Sequence, residues 1–113
     1  MTEAPLPVTR AVVQDVVLDA PVHIARIETR RITMAPGVVG GRHTHNGHVV
    51  GVVESGSVTF QVAGAPAVVL GAGDVFHEPA GTVIERWDAG PEGVVFVGHF
   101  PVPAGADPEL RPL

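Results

Sequence analysis

A chain of 113 residues has room for one hydrophobic core, and its 45% hydrophobic and 17% charged residues, with Gly 14 and Pro 11, suit short strands and tight turns better than long helices. A net charge of −5 without a basic cluster excludes a nucleic-acid partner, because neutralising phosphates needs a basic face; Arg26, Arg30 and Arg31 come nearest to one, and two of them can be solvated strand residues. The absence of cysteine removes disulfides, thiolate metal sites and cysteine nucleophiles, so any metal falls to His, Asp, Glu or amide groups. The start, "MTEAPLPVTR", has no basic stretch followed by an apolar run, and no apolar run reaches the length of about 18 residues that a membrane helix needs, which predicts a soluble, cytoplasmic protein without a membrane partner.

In chain order, runs rich in Val and Ile are bounded by Gly and Pro every 8 to 12 residues or so, the pattern of a sandwich or barrel. Strands are expected over 12–18, 22–29, 31–34, 49–54, 57–63, 67–70, 74–78, 82–87 and 93–100. "ESGS" at 54–57 reads as a hairpin with Gly56 at positive φ, and "GAPA" at 64–67 and "GAGD" at 71–74 as the next corners of a meander. "EPAG" at 78–81 predicts a reversal that makes the strands on either side neighbours. The proline-rich ends are expected to be extended or poorly ordered around one domain with its core at about residues 20–100.

The segment "RHTHNGH" at 42–48 holds half of the six histidines. In an extended chain His43 and His45 point to the same side, as a chelating pair requires, and "NG" then turns the chain into the strand that follows. The direction of His48, across that turn, does not follow from periodicity. His77 and Glu78 are adjacent, so on a strand one of them must face the interior, and either could complete a site. Alternation from position 84 would turn Ile84 and Arg86 inward and Trp87 outward; an inward Arg86 needs a carboxylate such as Asp88 or a ligand anion. Gly51, on the face of Val49, either makes room for a ligand or marks a bulge.

The span from Gly37 to Asp88 resembles the cupin superfamily, whose first motif is G-x5-H-x-H-x3or4-E-x6-G and whose second is G-x5-P-x-G-x2-H-x3-N. Gly37, His43, His45 and Gly56 match the first, and Gly73, Pro79 and Gly81 the second. Val49 stands at the glutamate position, Ile84 at the third histidine, and Asp88 replaces the asparagine. The resemblance implies an all-β fold, a conical, jelly-roll-like barrel (double-stranded β-helix) of two antiparallel sheets with a site in its mouth, and a homodimer. Members range from dioxygenases, isomerases, cyclases and lyases to storage and sugar-sensing proteins, so the fold does not select the function.

Val49 and Ile84 cannot donate a lone pair, which leaves two readings. In one, ligation is redistributed: His43 and His45 bind a divalent metal (Fe, Zn, Mn or Ni), His48, His77 or Glu78 supplies the third donor, and Val49, Gly51 and Ile84 line the substrate pocket. Glu78 and Arg86 are then the candidate catalytic groups, Arg86 orienting an anionic part of a small organic substrate undergoing dioxygenation or Lewis-acid cyclisation, isomerisation or lyase chemistry. In the other, the barrel is a metal-free small-molecule binder whose histidines only hydrogen-bond the ligand.

Overall fold

The computed structural model describes residue 4 and residues 6–113, and among these it contains strands, turns and irregular segments but no helix, hence none long and apolar enough to cross a membrane. Seven strands form: β1 (Arg26–Met34), β2 (His43–His45), β3 (Val49–Val62), β4 (Val68–Gly71), β5 (Val75–Glu78), β6 (Ile84–Val102) and β7 (Leu110–Pro112). All pairings are antiparallel, and the long β3–β6 ladder is their spine.

That ladder bends where its register shifts, between Val53 and Ser55 and between Gly56 and Val58. Gly56 does take a positive φ of 73°, but the chain does not reverse there, which corrects the hairpin expected at 54–57. Opposite it Gly93 also has a positive φ, and a Cβ on Gly56 would strike the Gly93 carbonyl. A bulge with glycine in the left-handed region bends a strand without ending it, so the runs expected at 49–54 and 57–63 are one strand, as are those near 82–87 and 93–100.

The bend divides the sheet into two halves. β5, the start of β3, the end of β6 and β1 make one; β4, the end of β3, the start of β6, β2 and β7 make the other. β4 and β5 lie end to end along the same edge of β3, so the meander is not formed, and the turn at 78–81 delivers β5 and β6 to opposite edges of β3 instead of pairing them. The halves close on each other through Trp87, whose ring centroid lies 4.8 Å from that of Phe76 and 4.9 Å from that of Phe96. Around these rings Val49, Val53, Val58, Phe60 and Ile84 complete a buried core.

The ends differ from expectation. Residues 12–18 form no strand: Val12, Val13 and Val17 are exposed, and Gln14 donates its side-chain amide to the Phe76 carbonyl at 2.7 Å. Val-rich sequence becomes a strand only where its backbone pairs with an edge, and residues 12–18 pair with none. Residues 22–25 likewise precede β1 instead of belonging to it, while 26–34 is one continuous strand. At the other end the proline-rich tail is ordered into β7, which pairs with β2. The Asn46 side chain secures it by donating to the Asp107 carbonyl and accepting from the Glu109 amide, both at 2.9 Å. Of the proline-rich start, residues 1–3 and 5 lie outside the described residues.

Candidate functional site

His43 and His45 lie on β2 with Thr44 turned away between them, so both imidazoles enter the space between the half-sheets, 3% and 8% exposed. Across from them β5 alternates: Phe76 and Glu78 face in, Val75 and His77 out. Glu78 Oε2 lies 2.8 Å from His45 Nε2, and Oε1 lies 3.4 Å from His43 Nε2. One donor atom from each of the three buried residues falls within 4.8 Å of the others.

The hydrogen bonding gives this cluster its chemistry. His43 Nδ1 lies 2.9 Å from the Gly41 carbonyl, which can only accept, so Nδ1 carries the proton. In the neutral ring Nε2 is then a bare lone pair directed at a carboxylate oxygen, an arrangement that calls for a cation, either a proton or a metal ion, between or upon the two groups. Burial disfavours a charge on His43, but the Glu78 hydrogen bond, the Gly41 carbonyl and the Glu78 charge together outweigh it and raise its pKa above the ordinary value. Burial likewise pushes the Glu78 carboxyl up, and the hydrogen bonds and charges of His43 and His45 more than reverse this and hold it low. Two imidazoles and a carboxylate converging on one point form a donor set suited to a divalent cation.

The other candidate residues separate by face. His48 and His77 meet outside this space, Nδ1 to Nε2 at 3.0 Å with stacked rings, and the Ala80 amide donates to His48 Nδ1 at 3.3 Å. They brace the 79–82 turn against β3 and do not reach the His43–Glu78 cluster, because strand alternation sends His77 away from it as surely as it sends Glu78 in. Val49 is buried and lines the cavity beside the histidines. Ile84, fully buried opposite His43 in register, belongs to the core and not to the cavity wall. Gly51 opens no space for a ligand: a Cβ there would meet the Phe76 ring at 2.6 Å, so its missing side chain seats that ring.

Arg86 faces solvent, not the interior, with its Nε 2.9 Å from Asp88 Oδ2. The cause is a register shift opposite Gln61 and Val62, where Gln61 faces Arg86 and Val62 faces Ile84, leaving Glu85 as an extra residue on β6. The shift reverses the alternation, so Trp87 turns in where Arg86 was expected. The arginine that does reach the cavity is Arg30 on β1, whose neighbours two and four residues on, Ile32 and Met34, also line it. Nothing in the run "RIETRR" distinguishes Arg30 from Arg31 until the pairing of β1 with β6 sets their faces; alternation with Ile32 and Met34 is the one signal that marks it.

The cavity is an open cleft of about 260 Å³ walled by apolar side chains from both half-sheets, with Pro108, Glu109 and Leu110 of the C-terminal strap along one side. A barrel of two antiparallel half-sheets with histidines in its mouth matches the family model described as "Cupin domain" over residues 30–97, more than half of the chain.

The chain belongs to the cupin family.

No curated protein matches this cupin's sequence. Among solved structures it is similar to the DMSP lyase DddQ from Ruegeria pomeroyi, with a TM-score of 0.65 and 18% identity over 74% of this chain and 42% of that one. A cupin-like protein from Thermotoga maritima aligns with a TM-score of 0.59 and 26% identity over 74% of this chain and 62% of that one. An RmlC-like cupin from Shewanella frigidimarina gives 0.60 and 25% over 70% and 68%. This cupin thus spans about two fifths of the DMSP lyase chain, and at 18% identity that likeness shows the fold alone.

Proposed function

We propose that this cupin is a metal-dependent enzyme acting on a small organic molecule, with His43, His45 and Glu78 holding one divalent cation, iron, zinc, manganese or nickel. The observation that carries the reading is the His43 ring, whose proton is committed to Gly41 while its bare Nε2 faces the buried Glu78 carboxylate. Glu78 then makes good the loss of donors at Val49 and Ile84 from the strand opposite. When bound, the cation supplies Lewis-acid polarisation of a substrate oxygen or a site for dioxygen. The chain's own part is to fix the two imidazoles through β2, hold the carboxylate ionised, and keep water from the reacting atoms with the apolar walls of the cavity. A structurally similar protein is a DMSP lyase, so the fold is compatible with catalysis, and that reaction is not assigned here.

Elemental analysis of protein purified without added metal or chelator tests the reading. Near-stoichiometric iron, zinc, manganese or nickel, absent from a His45→Ala variant, is the expected result. Protein that arrives empty and refuses added metal overturns it, and leaves a small-molecule-binding barrel in which His43 is an imidazolium paired with Glu78.

A further inference from the structure

We infer that Arg30 receives the carboxylate of the substrate, and that the substrate is a small monocarboxylic acid with a compact apolar body. Identifying the ligand as substrate rests on the function proposed above; the binding itself does not.

Among the described residues, Arg30 is the one arginine that lines the cavity holding His43, His45 and Glu78. Its guanidinium lies 4.9 Å over the Phe100 ring, and that ring lies 6.2 Å from the His45 ring, so one aromatic residue connects the arginine to the proposed metal ligands. Arg31, Arg42 and Arg86 are spent on protein carboxylates, the first two through two nitrogens each. Arg30 is tied at a single point, Nη2 to Glu28 Oε2 at 3.1 Å, and Glu28 is shared with Arg26. Among the described residues its other N–H groups meet no protein acceptor. The Phe100 face and the Glu28 contact therefore orient a guanidinium whose remaining fork is available, the geometry that binds a carboxylate through two parallel hydrogen bonds.

Trp87, 5% exposed, also lines the cavity. The cavity volume of about 260 Å³ lies below the range of drug-sized sites, and Ile32, Met34, Val49 and Phe96 make its walls apolar, which suits a small ligand with an apolar body. Glu78 inside and Glu109 at the rim oppose a second anionic group, so one carboxylate is specified and not two.

Trp87, the only tryptophan, reports on the cavity directly. Metal-stripped full-length protein is titrated with butyrate, with its neutral isostere butyramide and with the dianion succinate, following Trp87 emission. Stripping the metal removes the competing way of holding a carboxylate. Saturable binding of butyrate is expected, with butyramide and succinate each weaker by about tenfold or more. Arg30→Gln should weaken butyrate by a similar factor, with partial recovery in Arg30→Lys. Arg31→Gln, which removes the same charge from the neighbouring residue on the outer face, should bind butyrate as the wild type does. Equal binding of butyrate and butyramide, wild-type butyrate binding in Arg30→Gln, or no response to butyrate up to about 10 mM overturns the inference. Metal content is measured on the same samples. Carboxylate binding through Arg30 in a protein that takes no metal leaves this inference standing and defeats the metalloenzyme reading, and a metal-loaded protein indifferent to carboxylates does the reverse.

Discussion

Two histidine clusters stand back to back on this barrel, joined by the peptide bond between His77 and Glu78. Inside, Glu78 meets His43 and His45 in buried surroundings, and one imidazole lone pair faces a carboxylate. Outside, His77 and His48 stack, and His48 Nδ1 can accept from His77 Nε2–H at 3.0 Å, with the Ala80 N–H 3.3 Å from the same nitrogen. The difference is not in the number of imidazoles but in what they face. The outer pair joins a donor to an acceptor, whereas the inner cluster holds two acceptors together in a low-dielectric space and calls for a proton or a metal ion between them.

Substitution at the inner cluster is where the contrast should break most sharply. In His43→Ala or His45→Ala, metal measured by elemental analysis should fall from near one equivalent to background, while His48→Ala and His77→Ala keep it. Loss of metal in His77→Ala would put the site on the wrong face. Glu78→Gln should weaken metal binding by at least about a hundredfold, since loss of a mere supporting hydrogen bond to a ligand already costs 10 to 100-fold. A competition titration with a chromogenic chelator measures this, and an unchanged affinity would remove the carboxylate from the donor set.

The pH dependence of the metal-free protein sharpens the comparison further. Glu78 has a lowered pKa in the folded state, so its stabilisation is complete above its ordinary value near 4.5 and is lost as pH falls through the folded value. His43 has a raised pKa, so its contribution is complete below its ordinary value of 6.5 and is lost as pH rises through the folded value. Together they predict a stability maximum from this pair between about pH 4.5 and 6.5, and in Glu78→Gln the decline on the alkaline side should flatten. Melting temperatures across pH for the two proteins check it, and superimposable curves would show that the pair is not coupled.

Smaller effects are expected outside. His48→Ala or His77→Ala should cost about 1 kcal/mol in denaturant unfolding, the size of one hydrogen bond in a half-buried setting. Arg86→Ala should stay within about 0.5 kcal/mol, because its contact with Asp88 is an exposed ion pair. A large loss at Arg86 would mean that the register shift on β6 does not turn it outward.

Much of the site could be read from the residues. The i, i+2 spacing of His43 and His45 places both on one side of any extended segment, and the adjacency of His77 and Glu78 guarantees that exactly one of them faces in. Which one does so depends on how β5 pairs with β3, and that register, with Val49 opposite Glu78, is a tertiary fact. Arg86, expected inward, turned out for the same reason. One extra residue on β6 inverted the alternation after Ile84, and a bulge of that kind leaves no mark in a period-two pattern read along one strand. At Gly56 the sequence correctly required a positive φ, but that φ serves a hairpin and a bulge equally well, and only the continued pairing with β6 separates them.

The sequence by itself thus determined an all-β cupin, the absence of thiolate chemistry, and the paired histidines of β2, because these rest on composition, local turn chemistry and side-chain alternation, all properties of neighbouring residues. The tertiary structure alone decided that Glu78 and not His77 joins them, that Trp87 and Arg30 enter the cavity while Arg86 leaves it, and that the C-terminal strap forms one of its walls. Those choices depend on strand register and bulges, which are set by contacts between residues far apart in the chain.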